Sequence, residues 1–151
     1  MNATKSIEVL QFFTTGLNAQ SFSHRVQGKV FGSLGFSKLA SKYADHASEE
    51  LGYVDQFMQR ILDLGGQVKI EATQPEQVVE NLIEYIKNDC QVSVDGIELL
   101  RQKMEEVKDD VTTYDILKVY LKDEEEDLYW SQEQIGLINC IGEQNWLIRQ
   151  L

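Results

Sequence analysis

The sequence predicts an all-α fold: four long helices in a bundle, one long crossover between the second and third, and a short fifth helix at the C-terminus. Three observations carry this prediction. The 151 residues include one proline, the residue that most reliably breaks helices. Apolar residues recur every three or four positions over long stretches. One sizeable segment, just before the midpoint of the chain, lacks that period. The length suits one domain, residues 1–151, with a core of its own.

The first predicted helix runs from Lys5 to about Phe31, with Ile7, Leu10, Phe13, Leu17, Phe22, Val26 and Val30 as its apolar stripe. Gly32 and Gly35 break it. The second runs from Ser37 to Leu64 through Leu39, Tyr43, Ala47, Glu50, Leu51, Val54, Phe57, Met58, Ile61 and Leu62, and stops at Gly65 and Gly66. Residues 67–75 read as extended. Thr73 and Glu76 form a candidate capping box, with Pro75 in the first turn of a third helix that reaches about Val107. Chain geometry opposes so early a start: a helix of about 28 residues is about 42 Å long, while nine extended residues span about 30 Å. The third helix is therefore expected to begin several residues beyond Thr73. A fourth, with Thr112 and Asp115 able to cap it, extends to about Ile141 and is stopped by Gly142. Residues 145–151 form a two-turn fifth helix. Up-down-up-down wiring is the competing topology.

Bulk composition excludes several classes. Hydrophobic residues at 42% and charged residues at 26% describe a folded chain. A net charge of -11 argues against nucleic acid, which demands basic patches, and permits cations. The N-terminus has no apolar run of signal-peptide length and no segment approaches a membrane span, so a soluble cytoplasmic protein with no membrane partner is expected. Cys90 and Cys140, in no metal-type spacing, read as reduced and buried.

Bundles of this wiring build metal sites from facing side chains, one Glu from each of two helices and a Glu-x-x-His pair from each of the other two. The matching tetrads here run from Glu50 to Tyr53 and from Glu124 to Asp127; both keep the glutamate and neither keeps the histidine. The chain resembles bacterioferritin, of the ferritin-like family, along nearly its whole length. The resemblance is clearest in residues 55–62 (DQFMQRIL), Asp95 with Gly96, residues 123–130 (DEEEDLYW) and residues 142–147 (GEQNWL).

The resemblance implies a closed shell of about 24 identical or related chains, with ferrous iron entering through pores and a ferric mineral inside. It also shows what is missing. The family's first-helix glutamate falls on Leu17 and its third-helix glutamate on Ser93, while its two histidines fall on Tyr53 and Asp127. Glu50 and Glu124 stand where the bridging glutamates would. The family's haem-binding methionine falls on Leu51, so no haem is expected by that route. His24 replaces a tyrosine beside the metal site and reads either as a substitute ligand or as a hydrogen-bonded core histidine; His46 reads as surface. Asp45 and Glu49 fall where the family lines its cavity, either to collect iron or as a solvated acidic face. Trp146, Leu147 and Leu151 would pack near the four-fold channel.

A di-iron centre needs about six protein groups. Glu50, Glu124 and Asp127, helped by Tyr53 or His24, leave three outcomes open: a full centre, a single weak site, or no site. Three functions follow: a storage-shell subunit, alone or co-assembled with a ferroxidase-competent relative; an iron(II) oxidase with a rearranged site; or a binding module that never stores metal.

Overall fold

A computed structural model describes all 151 residues. It contains five helices: α1 (Ala3–Ser33), α2 (Ser37–Asp63), α3 (Leu82–Glu105), α4 (Val111–Ile141) and α5 (Glu143–Ile148). Asn2 caps α1, its side chain accepting from Lys5 N at 3.1 Å. The α1–α2 turn closes on Gly35 and α2 ends at Gly65, both at positive φ, where glycine carries no steric penalty.

Residues 66–81 form neither helix nor strand. Sixteen residues reach about 50 Å when extended, enough to return along the whole of α2, about 40 Å long. That requirement moves the start of α3 to Leu82, so Thr73, Pro75 and Glu76 cap nothing. Asn81 is the cap, accepting from Glu84 N at 2.9 Å. At α4, the cap is Asp110, which accepts from the Thr113 amide, rather than Thr112 or Asp115. Asp110 wins because it also pairs with Arg60 of α2 at 2.7 Å and accepts the Thr113 hydroxyl at 2.6 Å.

Two glutamines of α1 hold the crossover down. Gln11 pairs with both backbone groups of Lys69, accepting from its N at 2.8 Å and donating to its O at 3.1 Å. Gln27, with its amide turned to satisfy both contacts, does the same with Val79 at 2.9 Å. Backbone groups that have no strand partner are thus satisfied by side chains.

The core falls into two apolar clusters. One joins the start of α1 (Leu10, Phe13, Leu17) to the ends of α2 and α3 (Phe57, Leu100) and the start of α4 (Leu117). The other joins the end of α1 (Phe31) to the starts of α2 and α3 (Tyr43, Ile86), the end of α4 (Ile138) and Trp146 of α5. Hence α2 and α3 run parallel to each other and antiparallel to α1 and α4, the wiring a lengthwise crossover demands. Trp146 is fully buried and donates from Nε1 to Gln134 Oε1 at 3.0 Å, fixing the short fifth helix.

Two sequence readings are corrected here. Cys140 is exposed and Cys90 only partly covered, since both lie off the apolar stripes of their helices. His46 is 5% exposed, not a surface residue, because it lies one turn before Glu50 on the same inward face.

Candidate functional site

Between the two apolar clusters lies a belt of buried polar side chains drawn from all four long helices. His24 comes from α1, His46 and Glu50 from α2, Asp89 and Ser93 from α3, and Glu124 and Asp127 from α4. Such groups cost several kcal/mol to bury unless paired, on the order of 3–5 for an uncompensated charge. Their partners therefore define the belt.

His24 is the hub. Its Nδ1 lies 2.5 Å from Glu50 Oε1 and its Nε2 2.9 Å from Asp89 Oδ1. Burial alone would push this imidazole down, but the two hydrogen-bonded carboxylates outweigh it and hold it up at about 10. His24 is therefore the hydrogen-bonded core histidine, with both ring nitrogens occupied. The His46 ring stacks on it, centroids 5.2 Å apart, and directs Nε2 at Asp127 Oδ2. Burial lowers this second imidazole too, and contact with Asp127 raises it by more. Glu124 is pushed up to about 8 by burial and by the neighbouring Glu50 and Asp127 carboxylates. Polar atoms of the belt and its edge that lack a hydrogen-bond partner include Glu50 Oε2, His46 Nδ1 and Asp123 Oδ2.

The positions that the resemblance assigns to metal ligands carry side chains of mixed chemistry. Leu17, 2% exposed, belongs to the first apolar cluster, and Tyr53 packs against that cluster with its ring 5.4 Å from Tyr120. Burial and the acidic neighbours Asp123 and Glu49 raise the Tyr53 phenol, so it stays protonated and a poor ligand. Ser93 offers only a hydroxyl. Glu50, Glu124 and Asp127 reach the bundle interior as the spacing predicts, yet Glu50 and Asp127 are each taken up by a histidine.

A carboxylate trio does converge at the edge of the belt. Oxygens of Glu49, Asp123 and Asp127 lie within 4.8 Å of one another, with Glu49 exposed, Asp123 partly covered and Asp127 buried. Burial, then Asp127 and Glu49, push Asp123 up to about 6. Asp45 is exposed and stays outside this trio. Leu51, 40% exposed, lies on the outer side of α2.

Sequence reasoning missed Asp89 and Asp123 and misplaced His46. A signal for two of them was present: His46 stands four residues before Glu50 and Asp89 four before Ser93, each one turn away on the same face.

The ferritin-like domain family matches residues 22–141. Among curated relatives, a protein named bacterial ferritin from Pseudomonas aeruginosa is 31% identical over 152 aligned positions, covering 96% of each chain. One of the same name from Neisseria meningitidis is 28% identical, again covering 96% of each chain. A protein named bacterioferritin from Streptomyces coelicolor is 26% identical over 93% of this chain and 87% of its own. No helix is long and apolar enough to cross a membrane.

Proposed function

The chain belongs to the ferritin-like domain family, and from that premise we propose that it is a subunit of an iron-storage shell whose own bundle centre does not oxidise iron. The observation that carries the second half is the fate of the family's ligand positions. Leu17 and Tyr53 have joined an apolar cluster, and Glu50 and Asp127 are bound to imidazoles. The first half is supported by relatives named bacterial ferritin that align over nearly the full length.

In this reading ferrous iron is cargo. The acidic trio of Glu49, Asp123 and Asp127, on the α2 and α4 side of the bundle, gives hard oxygen ligands of the kind such ions prefer. The net charge of -11 adds an attractive field. Assembly is supported by apolar side chains left uncovered on one chain: Ile148 and Leu151 at the end closed by α5, and Phe22 and Leu51 on α1 and α2. Iron oxidised slowly by oxygen in solution, or by a related chain with a complete centre in the same shell, then mineralises inside. The setting is the cytoplasm. Leu51 cannot offer a thioether, so the shell carries no haem at that position.

Native mass spectrometry and anaerobic loading with ferrous iron, followed by admission of oxygen, test the reading. Expected are a closed assembly of many chains, an iron core that forms at the rate of oxidation in buffer, and no Soret band. A single-bundle mass, or rapid oxidation that disappears on Glu50→Ala, overturns it.

A further inference from the structure

The four long helices are wired as two hairpins, α1 with α2 and α3 with α4, and packing is densest within each hairpin. Polar contacts between hairpins at the bundle centre are few, and both run through a histidine. His24 of α1 meets Asp89 of α3, and His46 of α2 meets Asp127 of α4. His24 also meets Glu50 of α2, so its ring joins three helices.

These residues are displaced together. His46 precedes Glu50 by four positions and Asp89 precedes Ser93 by four, while His24 follows Leu17 by seven. Because α2 and α3 run opposite to α1, all three steps lead toward the end closed by Trp146, by one turn on α2 and α3 and two on α1. The belt contains two imidazoles and four carboxylates, from Glu50, Asp89, Glu124 and Asp127, the donor inventory of a di-metal bundle site. Its pairs nevertheless close on one another: the one trio of donors that converges is the peripheral one, which includes neither histidine.

The geometry points to His24 and His46 as clasps that stand in for the two metal ions of the family, locking the hairpins together by imidazole–carboxylate pairs, so that the hairpins are tied at the bundle centre without any divalent cation. The inference rests on the reading of this chain as a storage subunit without a di-iron centre, and extends it from loss of a site to replacement of its structural work. A cation in such a bundle pulls carboxylates of different helices together. Here Asp89 and Asp127 are instead drawn in by ring nitrogens carried on the opposite hairpin. The tie is thus encoded in the chain and is independent of metal supply.

The test uses the assembled protein in a Glu49→Gln/Asp123→Asn background, which removes the peripheral trio as a competing site. Thermal unfolding is followed after EDTA treatment and again with cobalt(II) or, anaerobically, iron(II) added. A bound ion raises the midpoint by mass action, so equal midpoints with and without metal, and no cobalt d–d bands of an imidazole-bound ion, are expected. His24→Gln and His46→Gln each lower the midpoint by on the order of 10 °C, by breaking a buried pair, and metal restores none of it. One or two ions per chain that raise the midpoint, with the rise lost in either glutamine variant, overturn the proposal. So do glutamine variants that unfold at the original temperature. If neither variant folds, the metal titration of the unvaried histidines still decides. A shell that fails to assemble or to take up iron counts against the storage reading, whereas the clasps stand or fall on these midpoints alone.

Discussion

His24 and His46 lie ring against ring, centroids 5.2 Å apart and planes 21° from parallel, yet they reach in opposite directions, one to Asp89 on α3 and the other to Asp127 on α4. Two imidazoles at this distance repel if both are charged, and each is held by a carboxylate strong enough to outweigh that repulsion. The centre of the bundle is consequently governed by proton-bearing side chains, and its stability should report on them.

The first prediction concerns alkaline pH. The His24 imidazole titrates at about 10 in the folded chain against 6.5 for an unperturbed histidine. Its pairing stabilises the fold fully below the lower value, and that contribution is lost as pH rises through the folded value. Glu124 acts in the same sense: its carboxyl, raised to about 8, favours the fold while protonated, and the advantage of the unfolded chain grows as pH climbs from the ordinary carboxylate range to about 8. Urea midpoints are therefore expected to fall between pH 7 and pH 10. Glu124→Gln flattens the part below about 8, whereas His24→Gln flattens the whole span from 7 to 10. Parallel curves for all three proteins would refute the assignment.

The second concerns Leu17. It is nearly fully buried in the first apolar cluster, among aliphatic and aromatic side chains. Leu17→Glu, which restores the family residue alone, is expected to cost about 3 kcal/mol, from lost apolar burial and desolvation of the new carboxyl. Leu17→Met, similar in volume, costs less than about 1.5 kcal/mol. Denaturant titration of both variants distinguishes a packed position from a vacated ligand position.

The third concerns the crossover. Gln11 and Gln27 satisfy the backbone of Lys69 and Val79 in both directions, and Glu71 adds contacts to Gln11 and Thr15 at 3.1 and 2.7 Å. Replacing either glutamine with alanine frees backbone groups and loosens residues 66–81. Limited proteolysis should cut that segment several-fold faster in Gln11→Ala and Gln27→Ala, with the helical content seen by circular dichroism unchanged.

The fourth concerns the junction of α2 and α4. Asp110 caps α4 and pairs with Arg60, whose guanidinium Nε donates in turn to the Thr113 hydroxyl at 3.0 Å. Burial works against the ionised Asp110, but hydrogen bonds from Thr113 and Arg60 hold its carboxyl below the usual range. Asp110→Ala is expected to cost about 3 kcal/mol, combining a lost cap with a broken, largely covered ion pair. Because the folded value is depressed, this contribution is present above the ordinary carboxylate range and is lost as pH falls through the lowered value. The variant should therefore show a shallower loss of stability below pH 4 than the parent chain.

The helices were legible in the sequence because a period near 3.6 over about 28 residues, punctuated by Gly35, Gly65 and Gly142, leaves few other ways to bury the apolar stripe. The late start of α3 followed from the reach of an extended chain, even though Thr73, Pro75 and Glu76 imitate a cap. The inward placement of Glu50, Glu124 and Asp127 followed from the same period. Periodicity could not say which buried polar group meets which, because that depends on the relative rotation and axial register of helices far apart in the chain. Asp89 and His24 are separated by 65 positions and meet only because the crossover returns the chain to the end where α2 began. The sequence by itself determined the rods and the side chains they carry. The tertiary structure alone decided that two histidines, one read as surface and one as either a ligand or a core residue, would close on carboxylates of the opposite hairpin, because a buried charge is stable only beside its partner and the partners are brought together by packing.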